Sequence, residues 1–103
     1  MLFEIIYYQQ MAKDIKKLKL TKFQLIKLKK KIEDISHNPF PKQQGGLGEL
    51  LSGNLKGLLK FRFDNDYRVI YSIVKEDNVM KVIVIGMRAD KLVYKEAGKR
   101  LDF

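Results

Sequence analysis

The sequence predicts an α+β fold: one antiparallel sheet of about four strands, with an N-terminal helical hairpin packed on one face. Three observations carry this. Residues 58–63 and 67–74 alternate apolar and polar side chains around Asp64-Asn65-Asp66, the pattern of two strands joined by a turn. Residues 82–86, VIVIG, are apolar on both faces, as a central strand is. Between Met11 and Ile35, apolar residues recur at three- and four-residue spacing, the period of helices.

Taken in order, residues 2–7 are rich in β-forming side chains and predict a first strand. Residues 9–19 predict a helix, with Met11, Ile15 and Leu18 on one stripe. Thr21 and Gln24 form the S/T-x-x-E/Q pattern of a capping box, so a second helix starts at about Lys22. Leu25, Leu28, Ile32 and Ile35 give it an apolar seam. Asn38-Pro39 ends it, because the residue before a proline avoids the helical region and proline lacks the N–H. His37 stands at that end, where a cation suits the helix dipole.

Residues 38–57 hold both prolines and five of the seven glycines, and predict a long connection with a short element at 47–51. Connections of this length are usually functional or mobile. No phosphate-cradling glycine motif occurs in it. Strands follow at 58–63, 67–74 and 79–85, joined by turns at 64–66 and 75–78 as an antiparallel meander. The run 90–101 predicts a short helix. At 103 residues, positions 1–103 are read as a single domain.

Charge and composition narrow the function classes. The chain has no cysteine, which excludes a disulfide framework and a thiolate metal site. No apolar run approaches the roughly 18 residues of a membrane span, and the N-terminus has no basic segment of a signal peptide. A cytoplasmic protein without a membrane role is expected. The net charge of +9 favours an anionic partner. Residues 13–31 carry nine lysines and one acid, Asp14. Lys27, Lys29, Lys30 and Lys31 are its densest part, suited either to a solvated helix face or to docking on a polyanion such as RNA.

The hairpin raises a sharper question. If 64–66 is a three-residue loop, Phe63 pairs with Tyr67 and Arg62 lies opposite Arg68, with Lys60 on the same face. Phe61, Phe63, Tyr67 and Val69 then point to the helices. Like charges directly opposite on a sheet destabilise it, so the arrangement suggests an anion, phosphate above all, as its counterpart.

Several segments in order resemble one family: an opening strand, the helix from Ala12 to Leu18, the Lys-rich helix ending at Asn38-Pro39, LSGNLKG (51–57), DYRVIY (66–71), VIGMRADKLVY (84–94) and EAGKRL (96–101). Together they resemble the RelE/ParE superfamily of bacterial toxins from toxin–antitoxin pairs, over nearly the whole chain. The RelE branch, ribosome-dependent messenger-RNA endonucleases, is the most similar. The resemblance implies a RelE-like toxin fold, inhibition by a cognate antitoxin, and a catalytic set formed by Lys60, Arg62, Arg68, Arg88 and Tyr94, with arginine at 62 where a lysine occurs in relatives. ParE-like members share the fold but act on DNA gyrase and generally lack this set.

The residue types fit RNA cleavage. RNA carries its own nucleophile, the 2′-OH, so the protein must remove that proton, stabilise the phosphorane and protonate the leaving 5′-oxygen. Fixed guanidinium groups bind the more highly charged transition state preferentially. By resemblance, Arg68 and Arg88 stabilise charge, Lys60 and Tyr94 transfer protons, and Arg62 assists. No carboxylate cluster has metal-ligand spacing, so neither metal nor other cofactor is expected. Lys60, Arg68, Arg88 and Tyr94 are expected outside the core. Two alternatives stay open: a gyrase-inhibiting toxin without nuclease activity, and a non-catalytic RNA-binding module. Only one aromatic, Tyr94, is placed on the basic face, which is poor for a base-stacking platform.

Overall fold

The computed structural model describes residues 2–101. The chain forms β1 (Glu4–Tyr7), α1 (Gln10–Leu18), α2 (Lys22–Ser36), β2 (Glu49–Leu50), β3 (Leu59–Phe63), β4 (Tyr67–Val74), β5 (Val79–Met87) and α3 (Leu92–Leu101). The sheet order is β1-β5-β4-β3-β2. The α+β class and the helical hairpin hold, with two corrections. The sheet has a fifth strand, because the short element at 47–51 supplies β2 at the edge. It is also mixed, because β1 runs parallel to β5, from Glu4 opposite Val79 to Tyr7 opposite Val82.

Local chemistry sets the helix boundaries. Lys19, at φ 53°, ends α1 in the left-handed region. Thr21 and Gln24 then make the reciprocal capping box: the Gln24 N–H donates to the threonine hydroxyl at 3.1 Å, and the Thr21 N–H donates to the glutamine carbonyl at 2.9 Å. Leu28, Ile32 and Ile35 of α2 join Met11 of α1 in a core with Phe61, Phe63, Val69, Tyr71, Val82 and Ile85. Leu25 departs from the expected seam and is 36% exposed.

The opposite face of the sheet is also covered. Val93 and Ala97 of α3 pack with Leu55, Leu58, Ile70, Ile83 and Val84 in a second core. A register shift at Ile70/Tyr71 lets the consecutive residues Ile83 and Val84 both serve this face. Gly86 brings α3 close, since a Cβ there would lie 3.0 Å from Val93 Cβ.

The connection 38–57 is a packed turn system. Leu47 and Gly48 donate backbone hydrogen bonds to Asn38 and Phe40, at 2.9 and 3.0 Å. The buried Tyr71 hydroxyl donates to the Pro39 carbonyl at 2.7 Å. A side chain at Gly46 would collide with the Phe40 carbonyl, and one at Gly48 with the Tyr71 hydroxyl. These two glycines are therefore required by close packing.

Candidate functional site

The β3–β4 hairpin has the register read from its sequence: Phe63 opposite Tyr67, and Arg62 opposite Arg68. Asp64 enters the left-handed region at φ 48° to make the turn. Its carboxylate is held by α2, accepting from Lys27 Nζ at 3.0 Å and Gln24 Nε2 at 3.3 Å. The Lys27 and Gln24 hydrogen bonds hold the Asp64 carboxyl below its ordinary pKa. The N-terminal half of α2 is thus tied to the tip of the basic hairpin.

Pairing continues across the sheet, with Arg68 opposite Gly86 of β5. Arg62, Arg68 and Gly86 therefore form a row across three strands. Alternation places Lys60, Arg62 and Arg68 on the face that α3 covers in part, the face of Ile70. Arg88 follows the end of β5 and is exposed, and its N–H donates to the Asp66 carbonyl at 2.9 Å. That bond brings Arg88 to the turn end of the hairpin.

Lys60 and Tyr94 meet directly. Lys60 Nζ donates to the Tyr94 hydroxyl at 3.3 Å and lies 5.6 Å from the ring centroid. Both are half-buried, against the second core on the protein side. The two groups share one hydrogen bond, along which a proton can pass between the lysine nitrogen and the phenol oxygen.

Arg68 differs from expectation. It is only 6% exposed. Its Nη1 donates to the Tyr67 and Asn65 carbonyls, at 2.8 and 3.2 Å, so part of the guanidinium fastens the hairpin's own turn. A buried arginine spending donors on backbone carbonyls is a structural group as well as a charge. Arg62 is exposed and borders a cavity of about 350 Å³ between α2 and β3, with Lys31, Ile35, Lys42, Leu47, Glu49 and Phe61. Lys27, Lys29 and Lys30 are exposed on α2; Lys27 is engaged with Asp64, and Lys30 lies 3.9 Å from Asp34. His37 is exposed and caps α2. Among the described residues no group of three His, Asp or Glu side chains is arranged to hold a metal ion.

Comparison with known proteins gives this geometry a context. The family model described as the ParE toxin of the type II toxin–antitoxin system parDE matches residues 5–92. The chain belongs to this toxin family. No curated protein matches it. Among solved structures, the toxin is similar to an arginine double mutant of E. coli RelE in the free state, at 25% identity and a TM-score of 0.75, covering 98% of this chain and 99% of that one. The RelE mutant in complex with a peptide of the antitoxin RelB is 24% identical, with a TM-score of 0.67 and coverage of 94% and 95%. A YoeB/ParE toxin from Agrobacterium tumefaciens is 18% identical, with a TM-score of 0.66 and coverage of 84% and 99%. The superfamily resemblance read from the sequence therefore holds, and the fold is that of RelE-like toxins.

Three charged residues of the toxin escaped the sequence reading: Asp14, Glu96 and Arg100. Arg100 Nη2 and Nη1 donate to the two Asp14 carboxylate oxygens at 2.6 and 2.8 Å, and Nε donates to Glu96 at 3.1 Å. These hydrogen bonds, first that to Asp14, raise the Arg100 pKa against the opposing effect of burial. The available signal was Asp14 itself, the one acid among nine lysines over 13–31.

Proposed function

We propose that this toxin is a ribosome-dependent messenger-RNA endonuclease, with residues 1–103 acting as one catalytic domain. The observation that carries this reading is the contact between Lys60 Nζ and the Tyr94 hydroxyl beside the Arg62–Arg68 cross-strand pair. A proton-transfer pair next to paired cations is what phosphodiester cleavage by an internal 2′-OH requires.

In this mechanism the 2′-oxygen attacks phosphorus as its proton passes to the member of the Lys60–Tyr94 pair that is deprotonated, as amine or phenolate. The bond from phosphorus to the 5′-oxygen breaks, and that oxygen takes its proton from the other, protonated member. The products are a 2′,3′-cyclic phosphate and a 5′-hydroxyl. The exposed Arg62 and Arg88 meet the phosphate oxygens, and Arg68 adds its charge from beneath while holding the turn. Stabilisation by such fixed donors is greatest when the phosphorane charge develops. No step calls for a metal or cofactor. Lys27, Lys29, Lys30 and Lys31 dock the toxin on ribosomal RNA, and a cognate antitoxin partner restrains it. Its site of action is the cytoplasm, where translating ribosomes are.

A second reading has its own support: the family model is that of ParE toxins, which implies gyrase inhibition without RNA cleavage. One experiment separates the two. Purified toxin added to translating ribosomes should give discrete primer-extension stops within codons, also at EDTA levels that leave ribosomes intact. Intact messenger RNA together with gyrase trapped on DNA would establish the second reading instead.

A further inference from the structure

The Asp14–Arg100 pair lies where the sheet loses a strand. β1 accompanies β5 as far as Tyr7 opposite Val82, and the Tyr8 N–H still donates to the Val82 carbonyl at 2.9 Å. The chain then leaves for α1, and β5 continues alone on that side. Its next polar groups are taken by side chains: the Ile83 carbonyl accepts from Arg100 Nη1 at 2.7 Å, and the Ile85 N–H donates to Asp14 Oδ2 at 3.3 Å. The ion pair thus continues the edge that β1 abandons. It also joins the two layers of helix, since Asp14 belongs to α1 on one face and Arg100 to α3 on the other. The two side chains are 11% and 6% exposed, so the pair is largely shielded from solvent. Val93 and Ala97 fix α3 through apolar contact alone, which resists separation better than sliding. Directional bonds from Arg100 to Asp14 of α1 and to the Ile83 carbonyl of β5 set its position along and around its axis, while Glu96, one turn back on α3, steadies the guanidinium.

We propose that Arg100, braced by Asp14, is a positioning residue that registers α3 on the sheet so that the Tyr94 hydroxyl meets Lys60. The inference rests on the nuclease reading for its consequence in cleavage, but the geometry it asserts can be measured without any activity.

The test has two arms. In the first, single-turnover cleavage on programmed ribosomes is measured for Arg100→Gln, Arg100→Lys and Asp14→Asn, each alone and combined with Tyr94→Phe. Displacing a reacting group by about an ångström costs roughly a hundredfold in rate. Arg100→Gln should approach that loss in the rate at saturation, with ribosome binding unchanged. Arg100→Lys should recover part of it, since an ammonium still reaches Asp14. In the Tyr94→Phe background, none of the three should cost anything further. In the second arm, Tyr94 is replaced by 3-fluorotyrosine. Its fluorine resonance should shift on Lys60→Ala in the otherwise wild-type toxin and lose that response in Arg100→Gln and Asp14→Asn. Additive rate losses with Tyr94→Phe would overturn the proposal, as would a fluorine response to Lys60→Ala that survives the loss of Arg100. If the wild-type toxin cleaves nothing, the nuclease reading fails and the fluorine arm alone decides the position of Tyr94. Arg100→Lys, which keeps the buried charge paired, serves should Arg100→Gln not fold.

Discussion

Among the basic residues, burial separates roles that charge alone would merge. Arg68 is 6% exposed and bonded to two backbone carbonyls, whereas Arg88 is exposed. Arg88→Ala should therefore cut single-turnover cleavage while leaving the melting temperature within about 4 °C, since exposed substitutions usually change stability by about 0.5 kcal/mol or less. Losing one preorganised donor to the transition state costs about 3–4 kcal/mol, or roughly a hundred- to a thousandfold in rate. Arg68→Ala should lower both the rate and the melting temperature, because it removes two hydrogen bonds to the part-buried turn, each worth about 1 kcal/mol. Identical melting curves for the two variants would remove Arg68 from the fold's support. Asp64 supplies a pH dependence of definite sign. Its carboxyl, bonded by Lys27 and then Gln24, titrates below its ordinary value of 3.8. The resulting stabilisation is complete above 3.8 and is lost as pH falls through the lowered pKa. In Lys27→Met, the Asp64 carboxyl followed by NMR should titrate closer to 3.8; a titration unchanged by that substitution would refute the bridge.

At the scale of elements, α3 sits against β5 only because residue 86 has no side chain. A Cβ at Gly86 would lie 3.0 Å from Val93 Cβ and 3.3 Å from Val93 Cα, so Gly86→Ala must move the helix that carries Tyr94 by a few tenths of an ångström. The expected outcome is a folded protein with slower cleavage and unchanged ribosome binding, measured by single-turnover rates beside a binding isotherm. Wild-type rates would show that the contact with Lys60 tolerates displacement of α3. The elements with local signals were legible in the sequence: Thr21 and Gln24 gave the start of α2, and Asp64-Asn65-Asp66 gave the hairpin register that placed Arg62 opposite Arg68. What depended on partners distant in sequence was not. Nothing within residues 2–7 says that β1 runs parallel to β5, because the choice is made by the crossover through α1 and α2. The burial of Arg68 was hidden because a strand's alternation assigns a face, not the depth to which α3 and the turn cover it. The Asp14–Arg100 pair spans 86 positions, beyond any helical or strand period.

As a whole molecule, the toxin carries its lysine-rich helix on one face of the sheet and Lys60, Arg62 and Arg68 on the other, and Lys31 and Arg62 border one cavity at the β3 side. On the nuclease proposal, docking on RNA and chemistry on RNA are carried by different residues, and they should respond differently to mutation. In that proposal, phosphate contacts from α2 supply affinity and its salt dependence, and the Lys60–Tyr94 pair supplies rate. The most direct test is single-turnover cleavage with saturating toxin on programmed ribosomes, alongside a binding isotherm, for Lys60→Ala and Tyr94→Phe. Binding should stay intact and the rate at saturation should fall by about a hundredfold or more, the order expected for loss of a general acid–base group. Wild-type rates at saturation, or losses of rate matched by losses of affinity, would contradict that proposal, for Lys60 and Tyr94 would then hold RNA without acting on it.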